Sequence, residues 1–194
     1  MANLPITEWK LSQPLATKGG GRIAPITDQG NTAITIKPGV DLRAPYGAST
    51  WGGEPSTRMN LDLSIPTGSP EEAYFKALDE WAITAAFEIR RELFKKDLTQ
   101  EQVAGLFKPS LTYSTKFEGY YPTLRTKLSC EGPRKTRCWN AEKQPVQVEN
   151  VDFSSCELTP MLAVKGLWCQ SNSFGFVFNV ADILCKEPPK TCPF

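Results

Sequence analysis

There is no histidine anywhere in the chain of 194 residues. That one gap removes Ser-His-Asp and Cys-His activation of a nucleophile, histidine-ligated metals and the commonest general base. Six cysteines are present, Cys130, Cys138, Cys156, Cys169, Cys185 and Cys192, but no two form a C-x-x-C. A structural zinc site is therefore not expected, and packed thiols are preferred to a disulfide framework. No run of 18 apolar residues occurs, which excludes a spanning helix of ordinary length and argues against a membrane partner. The opening stretch from Met1 to Trp9 has neither a basic n-region nor an apolar h-region, so no secretory signal is expected. An intracellular, reducing compartment follows as the expectation. No internal repeat or low-complexity tail is present, and nothing asks for a cofactor or a metal.

What is present describes one folded domain over residues 1–194, with 40% hydrophobic and 22% charged residues. A chain of this size buries roughly 70% of its unfolded surface. Residues 1–66 are rich in Pro and Gly and admit only short extended pieces, among them Ala33–Lys37. Met59, Leu61, Leu63 and Ile65 alternate with Asn60, Asp62 and Ser64, the pattern of a half-buried strand. A helical insert is expected over 69–107. Ser69 is its N-cap, Pro70 its first position and Glu72 the partner in a capping box. Phe75, Leu78, Trp81, Ala82, Ala85, Ile89 and Leu93 then lie on one stripe, which places Trp81 in the core. Thr99 and Gln102 open a second, short helix.

Residues 111–187 return to strands, with alternation over 111–117 and 123–128 that puts Arg125 and Lys127 on one side and Leu124 and Leu128 on the other. Residues 188–194 form a tail. The fold class is mainly antiparallel β with a helical excursion (α+β). An elaborated OB-fold barrel is the preferred architecture and a two-sheet β-sandwich the alternative.

The near-neutral total, 22 Lys plus Arg against 21 Asp plus Glu, conceals an uneven distribution. Between Lys108 and Lys143 eight basic residues face three acidic ones, and Tyr113, Phe117, Tyr120, Tyr121 and Trp139 are interleaved with them. Phosphates want cations and unpaired bases want flat rings, so the stretch suits a single-stranded nucleic acid. The candidate phosphate contacts are Lys116, Arg125, Lys127, Arg134, Lys135 and Arg137. The candidate stacking surfaces are Tyr113, Tyr120, Tyr121 and Trp139. Residues 134–139 are expected to form a hairpin tip beside a binding groove.

Other motifs give less. Phe174-Gly175-Phe176-Val177-Phe178 resembles the centre of an RNA-recognition signature, but Asn172, Ser173 and Asn179 depart from it and a buried aromatic ribbon is the preferred reading. Lys18-Gly19-Gly20-Gly21-Arg22 lacks phosphate-loop spacing. Asp79 with Glu80, and Glu71 with Glu72, diverge by about 100° on a helix and cannot act as a facing pair. Asp41, Asp62 and Asp152 would have to converge in space to hold a magnesium ion. No enzyme is expected.

Several stretches resemble the OB-fold single-stranded-DNA-binding proteins of large algal DNA viruses and related phages. They are Leu42–Gly47, Pro55–Leu63, the helix around Leu78–Trp81, Tyr121–Lys127 and Val164–Trp168. The resemblance implies sequence-independent coating of single strands, DNA rather than RNA, in replication, recombination or repair, often as a dimer. It also implies replication proteins as partners and, for a viral chain, the nucleus or a viral replication site. The phage relatives end in an acidic tail closed by an aromatic, whereas this chain ends Lys186-Glu187-Pro188-Pro189-Lys190-Thr191-Cys192-Pro193-Phe194, so only Phe194 matches as a partner contact. The competing functional reading is a structural or assembly protein, such as a virion β-sandwich subunit.

Overall fold

A computed structural model describes residues 5–17, 20–50, 57–116 and 119–187. Among these the chain forms β1 (Trp9–Leu11), β2 (Leu15–Ala16), β3 (Arg22–Asp28), β4 (Thr35–Ile36), β5 (Ala48–Ser49) and β6 (Arg58–Ser64). Three helices follow, α1 (Pro70–Glu88), α2 (Arg90–Phe94) and α3 (Gln100–Leu106). The chain then returns to strands: β7 (Leu111–Thr112), β8 (Thr123–Ser129), β9 (Arg137–Trp139), β10 (Pro145–Val146), β11 (Glu157–Cys169) and β12 (Phe174–Lys186). The fold is α+β, mainly β, with the helices as an excursion between β6 and β7.

The helix signals act as their chemistry requires, with one change. The Ser69 hydroxyl accepts from the Glu72 N–H at 3.2 Å. Glu72, however, reaches one residue beyond the cap and accepts from Gly68 N–H at 2.6 Å. Its other oxygen takes the Tyr113 hydroxyl at 2.6 Å and the Lys76 ammonium at 2.8 Å. The Lys76 ammonium first, then the Tyr113 hydroxyl and the Gly68 amide, hold its carboxyl down at about 2. The Thr99 and Gln102 capping box forms with both of its bonds. The long stripe does not run on as one helix: Ile89 leaves helical geometry, and the Phe87 carbonyl accepts from the Ile89 N–H and from the Arg90 guanidinium, the latter at 3.1 Å.

The strands join in one sheet with the path β1-β3-β11-β12-β8-β6-β5, which sets aside two separately packed sheets. Most pairings are antiparallel, but β12 runs parallel to β8 and to β9. The ladder is not closed. Isolated bridges span the gap, because Leu42 pairs with Leu158 of β11 and Arg43 with Ser64 of β6. The alternation expected over 111–117 yields only the two residues of β7, since Tyr113 turns away to Glu72.

The core is continuous. Leu61, Leu63, Leu124 and Leu128 from one sheet region and Phe75, Leu78 and Ala82 from α1 are fully buried. Each large apolar side chain so placed contributes about 1.5–3 kcal/mol relative to exposure. Phe174 and Phe178 are buried, while Phe176 is half-buried and stacks on both Phe178 and Trp81. Trp81 itself is only half-buried, packed edge-on against Trp9. The five described cysteines are free and buried. Among the described residues, no helix is long and apolar enough to cross a membrane.

Candidate nucleic-acid interface

The outward alternation of β8 presents Arg125 and Lys127 while Leu124, Thr126 and Leu128 go inward. These two cations lie in a furrow across β3, β11, β12, β8 and β6, made of two adjoining depressions of about 840 and 800 Å³. The halves share Ile23, Arg58, Lys127 and Val177, so Lys127 stands at the centre. Arg22, Lys108 and Arg125 line one half, and Arg134 and Lys165 the other. Among the described residues, seven cations in the lining thus face one acid, Glu131.

The cations are not equally committed. Arg125 sets its fork on Asp62, directly opposite across the β6–β8 ladder, with both N···O distances at 3.0 Å. Arg22 donates to the Leu93 carbonyl at 3.0 Å. Lys108, Lys127, Arg134 and Lys165 have no ion pair among the described residues. Partial burial, with the nearby Arg134 charge adding to it, holds the Lys165 ammonium below the usual lysine range. Like charges gathered without counter-ions in a concave site make a standing positive potential.

One feature of the furrow comes from a local irregularity in β11. Strict alternation would send Lys165 and Trp168 to opposite faces. The β11–β12 register shifts between Val164 and Gly166, and both side chains line the furrow. Gly166 makes this possible, because it has φ +142° and a Cβ there would lie 2.1 Å from the Ala24 carbonyl oxygen. The bulge thereby adds a half-buried indole to a cationic surface. Next to it, Phe176 and the Lys108–Ser110 segment form the end wall. Ser110 is held by Asp79, which accepts from its N–H at 3.0 Å and its hydroxyl at 2.5 Å. Burial pushes the Asp79 carboxyl up to about 6 against those two bonds.

Of the residues expected from sequence, the furrow brings together Arg125, Lys127 and Arg134. The others lie outside its lining. Lys135 donates to Gln147 at 2.9 Å. Arg137 and Trp139 both donate to Asp182, at 2.6 and 3.2 Å. Tyr113 donates to Glu72 beneath Lys76. Lys116, Tyr120 and Tyr121 are exposed in the connection that leaves the Thr112–Thr123 end of the β7–β8 ladder. Phe194, Cys192, Lys18 and Gly19 lie outside the described residues. Arg58, Lys165 and Trp168 were not legible as members of the site, whereas Lys108 opens the basic stretch and Arg22 closes the basic loop that begins at Lys18. A glycine inside an apolar strand, flanked by Lys165 and two residues before Trp168, is the signal that points to the bulge.

Asp41, Asp62 and Asp152 do not converge. Asp41 pairs with Lys186, Asp62 with Arg125, and Asp152 accepts from Ser154. Among the described residues no cluster of three or more Cys, Asp or Glu is arranged to hold a metal ion.

The fold is shared with solved phage proteins. It is similar to gp2.5, a single-stranded DNA binding protein encoded by bacteriophage T7, with TM-score 0.55 and 11% identity over 84% of this chain and 91% of that one. It is also similar to the C-terminally truncated single-stranded DNA-binding protein of bacteriophage Enc34, with TM-score 0.51 and 13% identity over 94% and 98%. The same Enc34 protein in complex with ssDNA gives TM-score 0.50 and 11% identity over 93% and 97%. Curated proteins give no match. A family model described as a family of unknown function (DUF5871) matches residues 54–193, and the chain belongs to that family.

Proposed function

We propose that the protein binds single-stranded DNA without sequence preference, as a non-catalytic component of replication, recombination or repair. The observation that carries this reading is the furrow, where Lys127, Arg134 and Lys165, with no ion pair among the described residues, stand beside Trp168. Cations along a groove take the phosphates, and a flat indole takes a base. The fold shared with phage proteins that bind single strands supports it. Within this reading Arg58, Lys108, Arg125, Lys127, Arg134 and Lys165 are the backbone contacts and Trp168 the stacking surface. Lys116, Tyr120 and Tyr121 extend the path beyond the β7–β8 end. We place the protein with its counterparts in phages and large algal DNA viruses, in a reducing intracellular compartment, a placement supported by its buried free thiols.

The test is a titration of fluorescent oligo-dT, oligo-U and duplex of equal length at several salt concentrations. With six single-strand phosphates neutralised, log K falls against log salt with slope about −4.2. Oligo-dT is expected to bind tightest. A flat salt response, or preference for duplex, overturns the reading.

A further inference from the structure

A second concavity lies away from the furrow. A pocket of about 160 Å³ opens between the first turns of α1 and the segment from Ile36 to Gly39, and none of its lining residues lines the furrow. Its walls are apolar, from Ile36, Pro38, Pro70 and Phe75, and it also contains Glu71 and Tyr74. One Glu71 oxygen, Oε1, accepts from Gly39 N–H at 2.9 Å. The other, Oε2, is buried with no hydrogen-bond partner among the described residues, and so is Tyr74 Oη. Burial pushes the Tyr74 phenol up to about 12, so it stays neutral and offers a lone pair.

An unpartnered carboxylate oxygen in an apolar sleeve is costly unless a donor reaches it, and a charged donor satisfies it best. The wall chemistry narrows the donor further. Two proline rings, an isoleucine and a phenylalanine suit a run of methylenes, with the acid and the phenol as two acceptors for one head group. Glu71 Oε2 and Tyr74 Oη are left without a donor among the described residues, and a compact ammonium with three rotatable donors can meet both, whereas a guanidinium sets its two-oxygen fork on Glu71 only by sharing Oε1 with Gly39. We propose that this pocket binds the side-chain ammonium of a lysine presented by a partner protein. The pocket and the furrow share no residue, so the partner docks whether or not the furrow is occupied.

The experiment follows amide NMR shifts of the full chain during titration with Nα-acetyl-lysine methylamide. The norleucine, Nε-acetyl-lysine and arginine analogues serve as controls. The lysine probe is expected to give saturable shifts at Gly39, Glu71 and Tyr74, while the neutral probes give none and arginine binds more weakly. Glu71→Gln keeps the oxygen that Gly39 needs and should weaken the lysine probe about tenfold or more, the loss expected for a charged hydrogen bond. Tyr74→Phe should weaken it severalfold, and it decides the matter if Glu71→Gln melts early. Oligo-dT affinity stays unchanged in both variants, which separates this site from the furrow. Equal binding of norleucine, stronger binding of arginine, no saturable shift with lysine, or full lysine binding by both variants would overturn the assignment.

Discussion

Lys127 and Arg137 belong to one basic stretch, both point outward, and both sit on strands that run parallel to β12. Their surroundings differ by the residue that β12 sets beside each. Lys127 pairs in register with Asn179, whereas Arg137 pairs with Asp182, and that carboxylate takes both the guanidinium and the Trp139 indole N–H. One cation has an amide beside it, and the other is spent holding the β9–β10 hairpin to β12. A basic residue becomes a binding residue by what its neighbours leave unneutralised.

The largest effect comes from removing the bulge that builds the cationic side. Gly166→Ala places a methyl 2.1 Å from the Ala24 carbonyl in backbone that L-residues avoid. Strain of that kind costs about 1–3 kcal/mol before the overlap is added, so a loss above about 3 kcal/mol is expected. Urea or thermal unfolding measures it. A variant of wild-type stability would mean that β3 and β11 do not approach as described.

Next in size is the double variant Lys127→Ala with Lys165→Ala. It should weaken oligo-dT about a hundredfold at low salt and flatten the salt slope by about 1.4. Lys135→Ala with Arg137→Ala, equal in charge, should stay within about twofold. Equal losses in the two pairs would erase the contrast between the regions.

The furrow's end wall rests on Asp79, a carboxylate that burial disfavours. Asp79 has its folded pKa raised to about 6, so between its ordinary value near 3.8 and about 6 the folded state holds more protons than the unfolded. Stability from this group is therefore greatest below pH 4, falls as pH rises to about 6, and is flat beyond. The change amounts to about 2 kcal/mol after allowance for partial exposure. Asp41 and Glu72, with lowered values, work in the opposite direction, so the measurement is the difference between wild type and Asp79→Asn across pH 4 to 7. Parallel curves would refute the burial of Asp79.

Trp168→Ala should cost about 1–3 kcal/mol of binding, the usual worth of a stacked base, and quench the fluorescence response to oligo-dT. Trp139→Ala should leave affinity nearly unchanged and loosen the hairpin instead.

Much of the fold was written in periodicity. The Ser69 and Thr99 caps, the β6 alternation and the Arg125/Lys127 face all depend on neighbours within a few residues, and local physics decides them. The site was legible only in part, because it is assembled by register between distant strands. Nothing near Arg137 in sequence announces Asp182, and nothing near Tyr113 announces Glu72, yet these contacts direct both side chains elsewhere. The bulge at Gly166 is the intermediate case, a local signal whose consequence for Trp168 depends on the partner strand.

The smallest expected effect tests the contrast most directly, because it exchanges the two β12 neighbours and leaves the cations in place. Asn179→Asp sets a carboxylate beside Lys127 in the furrow, where an exposed pair is worth about 0.2–1 kcal/mol and also repels phosphate. Affinity for oligo-dT should fall about two- to fivefold. Asp182→Asn releases Arg137 and Trp139 and should raise affinity by no more than about twofold, since they remain outside the furrow. Fluorescence titration at low salt resolves both changes. If releasing Arg137 raised affinity as much as burdening Lys127 lowered it, the hairpin would be a second arm of the interface, and the strand path would run along β12 as well as across it.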